Sequence, residues 1–467
     1  MKAQESPNLP APLTEAYAKF ASEAANAPLS ARVAEIVRLG FCDCAGVMLA
    51  GLGEDVVGRL SAWVGRRGLR GGSRVLFGPD RTAPDAAAMV GAVAAHALDY
   101  DDYAFSNHPS AVLVPTILAA ADACQATGAR MARAYVVGYE VWADLMTREP
   151  DHLHSKGWHP TAVFGPIAAA AAAASTQGLD SATTRNALAL AASLAGGVME
   201  NFGTMAKPYH GGRAADAGLV AVSLAASGIA ASATAIEGDR GLLAALSPAG
   251  RVDRTTAPQL DKTWRIATLG LNIKKYPTVG ASQRVIDAML ALRAARGIEI
   301  GRVAKIVPRV SVKHAAVMPF HRPSTALEAK FSLEFAAACA LKHGAVGLDQ
   351  LTDRVVRDPS LQDLMRRVEI ETTEDYDPHY AGAARADVVR VHLDDGRVLE
   401  SPAIARASGH ADRPLSAAEL RQKFDACARA GGVDAGYAGA LFAAMQRIDS
   451  LGTVADIPDR PTGMAVS

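Results

Sequence analysis

The amino-acid sequence predicts a mainly α-helical protein: a large all-helical domain built from both chain ends, plus a smaller α+β lid domain. Three observations predict it. Aromatics make up only 5% of the 467 residues while alanine and glycine abound, and small side chains in such numbers suit closely packed helices better than a β-sandwich core. Apolar residues recur at three-to-four spacing through most of the first 268 positions, the helical period. Period-two alternation is confined to about 269–408, and helical spacing then returns. The expected layout is a helical part over 1–268, an α+β lobe over 269–408 and a helical return over 409–467.

The elements follow in order. Residues 1–12 are Pro-rich and read as an extended arm. Helices are marked over 13–63 by Tyr17, Phe20 and Ala21, then by Val33, Ile36, Val37, Phe41 and Cys44. Residues 66–84 are Gly/Arg-rich and read as loop or minor strand. Residues 85–98 and 111–127 are helical, and Tyr135, Tyr139, Trp142 and Met146 form a helical stripe. Alanine dominates three further helices, at 162–176, 182–195 and 213–236. Within the last, residues 217–236 are uncharged for the length of a bilayer span. Their Ala, Ser and Gly content, without flanking Lys/Arg asymmetry, reads as a helix buried in a bundle instead. In the lobe, 283–295 and 325–342 are helical. Residues 303–312, 367–373 and 387–393 are strand-like, and Asp395-Gly396 is a hairpin turn before 397–399. Ser416 caps a helix over 417–430, and the tail from Thr453 reads as irregular.

Composition narrows the function. Lys+Arg and Asp+Glu both total 48, so the basic excess of a nucleic-acid binder is missing. Cys42, Cys44, Cys124, Cys339 and Cys427 are scattered and odd in number, a poor disulfide framework. With no apolar signal segment at the start, a reduced, cytoplasmic setting without a membrane is expected.

Four polar constellations interrupt the alanine-rich body. They are His96-Ala-Leu-Asp99-Tyr-Asp101-Asp102 with Asn107-His108-Pro109; Gly157-Trp158-His159-Pro160-Thr161; Asn201 to Arg213, which holds Thr204, Lys207-Pro208 and His210; and Lys274-Lys275-Tyr276-Pro277. His108, His159, Lys207 and Lys274 each sit close before a proline, where helices start or stop, and helix ends around a shared cavity are sensible seats for catalytic groups. Two imidazoles and two ammoniums, without HExxH or a cysteine cluster, make a cationic pocket needing no metal or cofactor. Such a pocket suits a small polycarboxylate. Removing a proton next to a carboxylate builds charge that fixed donors stabilise, while a neutral imidazole moves the proton.

At these strings — AHALDYDD…HPS, GWHPTAVFG, NFGTMAKPYHGGRAADAG, KKYP, EAKFSLEFAAACAL and GHADRPLS — the chain resembles the MmgE/PrpD family, which includes 2-methylcitrate dehydratase, cis-aconitate decarboxylase and iminodisuccinate epimerase. The resemblance spans about residues 13–450. It implies a homodimer whose active site lies between helical domain and lid. It also implies His108 and His159 as proton-transfer groups and Lys207 and Lys274 as carboxylate anchors. Asp99 and Asp102 would orient the site, and Thr161 and Thr204 would add hydrogen bonds. His210 completes the third string. Two departures stand out. Many members follow the lysine-x-aromatic-proline string with cysteine and histidine, where this chain has Thr278 to Gln283, leaving Ser282 as a stand-in. Decarboxylase-type members carry a tyrosine before an Arg-Pro of the lid, where this chain has Phe320-His321-Arg322-Pro323, leaving His321 as the substitute. The resemblance therefore implies dehydration or epimerisation first. A cis-aconitate-type decarboxylase and an inactive binding paralogue are the alternatives. A magnesium-dependent prenyl-diphosphate enzyme fits poorly, because Asp102 is followed by Tyr-Ala-Phe and no second acidic cluster accompanies it.

Overall fold

Small residues decide how the helical body packs. In a computed structural model, the protein is described over residues 13–24, 28–260, 263–380 and 382–461. Its first part runs α1 (Leu13–Glu23), α2 (Ala31–Ala50), α3 (Asp55–Arg66), β1 (Ser73–Arg74), β2 (Arg81–Thr82), α4 (Pro84–His96), α5 (Pro109–Cys124), α6 (Gly128–Thr147), α7 (Pro160–Gln177), α8 (Ser181–Ala192) and α9 (Ala206–Ala226). Short α10 (Leu242–Leu246) and α11 (Arg265–Leu269) lead to the lobe. α7 is buried from Pro160 to Thr176, so it is apolar all round as a central helix must be. α9 crosses both α4 and α7 at close range. A Cβ at Gly212 would stand 2.8 Å from Met89 O, and one at Gly218 would run into Ala169 and stand 2.7 Å from Ala170 N.

The lobe contains α12 (Gln283–Arg296), β3 (Val303–Ser311), α13 (Val312–Ala316), α14 (Ala326–Ala329), α15 (Leu333–His343), α16 (Asp353–Val356), α17 (Pro359–Arg366), β4 (Glu371–Thr373), β5 (Val388–Leu393) and β6 (Val398–Glu400). Its sheet has the order β4-β3-β5-β6, with β3 parallel to β4 and antiparallel to β5. The β5–β6 hairpin closes at Gly396, whose φ of +84° glycine adopts without strain. Val285, Ile286, Met289, Ile306, Leu333, Phe335 and Val389 belong to the lobe's own core. The chain then returns to the first body as α18 (Ala417–Ala430) and α19 (Ala435–Met445), whose Phe424, Leu441 and Met445 join the main core. The protein is thus mainly α with a smaller α+β part.

Several boundaries differ from the sequence reading. The helix expected at 213–236 is α9, which starts seven residues earlier and stops at Ala226; Gly228 follows with φ +88°. The uncharged stretch 217–236 is therefore not one helix. The described helical stretch long and apolar enough to cross a bilayer is Ala31–Gly53, most of which is packed inside the protein. The helix expected at 325–342 breaks at Lys330–Phe331–Ser332, where Ser332 accepts from Phe335 N and starts α15 afresh. A two-residue strand pair, β1–β2, lies within the otherwise helical domain. Thr453 caps a short 3-10 turn at Val454–Asp456 within the tail expected to be irregular. The expected arm at 1–12 lies outside the described residues.

Candidate active site

The site is assembled at helix ends. α4 ends at His96, and the chain turns sharply through Asp99, a non-glycine residue at φ +51°. It then enters α5, with His108 as N-cap and Pro109 at the first helical position. Pro has no N–H to satisfy there, so His-Pro starts the helix cleanly. His159-Pro160 starts α7 in the same way, and His159 N donates to Gly197 O at 3.0 Å. Lys207 and His210 lie in the first turns of α9. Lys274 arrives on the segment leading into the lobe, which is held to the loop by paired backbone bonds between Tyr103 and Asn272.

Three imidazoles meet. The ring centroids of His96 and His108 are 4.3 Å apart, those of His96 and His159 6.0 Å, and those of His108 and His159 6.4 Å. Asp101 orients two of them: its carboxylate lies 3.1 Å from His96 Nδ1 and 2.8 Å from His108 Nδ1. With Asp101 accepting at Nδ1, the Nε2 lone pair of His96 faces Lys207 Nζ at 3.1 Å. Lys207 also pairs with Asp99 Oδ1 and sits between the rings of Phe202 (5.5 Å) and Phe331 (5.4 Å). Lys274 donates to Asp99 O at 2.7 Å and lies 3.1 Å from its Oδ2. His159 Nδ1 is 3.1 Å from His210 Nδ1.

The α+β lobe closes the other side. Lys330 Nζ donates to Ala97 O at 3.1 Å, Tyr380 and Tyr103 share a hydroxyl bond of 2.8 Å, and Phe320 packs against Gly203.

Burial sets the protonation states. Desolvation pushes the pKa of His96 down to about 3, with Lys207 adding to the effect, and lowers His108 and His159 for the same first reason. These imidazoles are neutral near pH 7. Burial opposes ionisation of Asp99, yet the Lys207 and Lys274 ammoniums hold its pKa well below the usual range. Burial likewise opposes ionisation of Asp101, but His108 and His96 hold it down. Asp102 behaves oppositely. Burial first, and Asp43 second, raise it to about 8, so it carries a proton at neutral pH. Burial also lowers Lys207 and Lys330.

The structure gathers His108, His159, Lys207, Lys274, Asp99 and His210 from the sequence reading. Four expected residues differ. Asp102 turns its carboxyl to Ser110, which bonds it through N–H (3.2 Å) and hydroxyl, with Tyr135 behind; Asp101 orients the imidazoles instead. Thr204 is exposed, and its hydroxyl donates to Asn201 O at 2.8 Å within its own turn. Ser282 Oγ lies 2.8 Å from both Thr278 Oγ1 and Val279 O, so it braces the turn after Pro277. His321 is two-thirds exposed and is held by Glu334 at 2.7 Å. Thr161 is fully buried beside His159 in sequence, and its hydroxyl finds no hydrogen-bond partner among the described residues. His96, Asp101 and Lys330 were missed. Their signal was their place inside the strings AHALDYDD and EAKFSL, polar groups in apolar surroundings.

The ring nitrogens of His96, His108 and His159 lie within 4.8 Å of one another, a spacing a metal could bridge. Asp99 and Asp101 lie equally close to His96 and His108, but Asp101 and Lys207 engage both nitrogens of His96, and the Lys207 and Lys274 ammoniums are set against the Asp99 and Asp101 carboxylates.

A buried histidine cluster with the Lys207 and Lys274 ammoniums beside it thus lies where the helical body meets the α+β lobe, in a two-part protein. The MmgE/PrpD N-terminal domain matches residues 15–255, and the MmgE/PrpD C-terminal domain matches residues 276–435. The chain belongs to the MmgE/PrpD family. It is similar to the cis-aconitate decarboxylase of Mus musculus, at 29% identity over 399 residues, covering 82% of this chain and 80% of that protein. It is also similar to that of Homo sapiens, at 29% over 366 residues (74% and 73%), and to that of Aspergillus terreus, at 25% over 351 residues (70% and 71%).

Proposed function

We propose that this chain is an enzyme that moves a proton next to a carboxylate in a small di- or tricarboxylic acid, with decarboxylation of a cis-aconitate-type acid as the first reaction to test. The carrying observation is the neutral His108 and His159 pair facing the Lys207 and Lys274 ammoniums. The three relatives described above are named for that decarboxylation, which favours it over the dehydration or epimerisation expected from the sequence. In the reaction, the electron pair of the breaking C–CO2 bond becomes a new C=C bond. The displaced π pair takes up a proton, and CO2 leaves. Lys207 and Lys274 hold the remaining carboxylates and stabilise the charge that builds on them. A bound carboxylate raises the pKa of a nearby imidazole, so His108, braced by Asp101, delivers the proton, and His159 is placed to assist. Thr161 supplies a buried hydroxyl to the same ligand.

The second reading, elimination or epimerisation, is favoured by Phe320 and His321 standing where decarboxylase-type members carry tyrosine. The test is incubation of the purified protein in deuterated water with cis-aconitate, 2-methylcitrate and iminodisuccinate, followed by NMR. CO2 release with one deuterium in the product supports the first reading. Water loss or exchange at the α carbon without CO2 supports the second. Silence with all three acids overturns both.

A further inference from the structure

Four lysines are buried among the described residues: Lys207, Lys274, Lys330 and Lys423. Three have a carboxylate partner. Lys207 and Lys274 share Asp99, and Lys423 pairs with Asp43 at 2.6 Å. Lys330 is 3% exposed and forms no ion pair among the described residues; Glu54 and Asp99 favour its charge only from beyond ion-pair distance, and burial outweighs them. Its Nζ has three donors, and the one bond found for it goes to Ala97 O, the carbonyl that ends α4 next to His96. A buried ammonium so poorly matched costs free energy unless an anion completes it.

Its placement is specific. Lys330 sits in the break between α14 and α15, and its carbonyl accepts from Val279 N at 3.0 Å, in the turn that follows Lys274. The next residue, Phe331, stands over Lys207 Nζ. The lobe therefore carries this ammonium against the end of α4, beside the cluster.

We propose that Lys330 is a substrate-binding residue supplied by the α+β lobe, taking a carboxylate of a polycarboxylate whose other carboxylate is held by Lys207 and Lys274. The inference rests on the polycarboxylate reading given above. The lowered pKa of Lys330 accords with it, because a bound carboxylate would restore the charged form.

The competing role is a cap on the C-terminal end of α4, where a cation is favourable without any ligand. Calorimetry and thermal melting with tricarballylate as probe separate the two roles. In K330Q, which keeps a donor for Ala97, and in K330M, affinity falls about tenfold, the usual scale for one charged hydrogen bond. K330R recovers part of it. The ligand-free melting temperature of K330M stays level or rises, since an unmatched buried cation has been removed. Undiminished affinity in K330Q and K330M overturns the assignment, as does a lowered ligand-free melting temperature with the ligand-induced shift intact. If the wild-type protein binds no tricarballylate, the polycarboxylate reading itself falls, and Lys330 with it.

Discussion

Asp99, Asp101 and Asp102 lie within four positions of one another, yet their surroundings give them three different tasks. Asp99 neutralises two lysines, Asp101 orients two histidines, and Asp102 stays protonated against Ser110. The last assignment has a measurable consequence. An unfolded aspartate loses its proton near pH 4, whereas folded Asp102 keeps it until about 8. Raising pH across that window therefore costs the wild-type protein stability. Asp102→Asn mimics the neutral carboxyl and escapes that loss. Denaturant unfolding at several pH values should show the wild type weakening relative to D102N between about pH 4 and 8; parallel profiles would remove the protonated carboxyl. The histidines run the other way. Burial holds their pKa values below the free value of ~6.5, so with His108 as proton donor kcat/KM for a turned-over polycarboxylate falls as pH rises, along a limb set below that free value. A limb at 6.5, unmoved in H108N, would take His108 out of the proton path.

At the scale of elements, close approach rather than helix propensity governs the body. Gly218→Ala gains about 1 kcal/mol of propensity in a free helix. In α9 the new methyl meets Ala169 and Ala170 N, and overpacking against a fixed neighbour costs about 1–3 kcal/mol. The variant should be less stable in urea; equal or greater stability would mean that α7 and α9 can separate. The helix break at Lys330 follows similar logic. The stretch 325–342 has helical spacing throughout, and Ser332 could have sat mid-helix. Instead Ser332 caps α15 through Phe335 N, and the bonds of Lys330 with Val279 and Ala97 hold the break in place. The His-Pro and Lys-Pro strings were legible because proline marks helix starts in sequence. Asp101 was not distinguishable from its neighbours, because the turn at Asp99 decides which carboxylate faces inward.

At the scale of the molecule, the C-terminal return braces the site without touching it. Lys423 of α18 pairs with Asp43 of α2 and donates to Tyr100 O at 2.8 Å, in the loop that carries Asp99 and Asp101. Both side chains of the pair are almost fully buried. Lys423→Met leaves Asp43 buried and unpaired, a loss of about 3–5 kcal/mol, read as a large fall in melting temperature. Adding Asp43→Asn should recover part of it by removing the stranded charge. Failure of the double variant to recover would show that Lys423 acts through Tyr100 alone.

By itself, the sequence determined the mainly α class, the late α+β part and the strings that carry His108, His159, Lys207 and Lys274. Helical spacing, alternation and proline position are local properties written residue by residue. Only the tertiary structure decided that His96, Asp101 and Lys330 join them, and that Thr204, Ser282 and His321 bond within their own surroundings. Which side chains meet depends on where helix ends converge, how far small residues let helices approach, and which charges burial leaves unmatched.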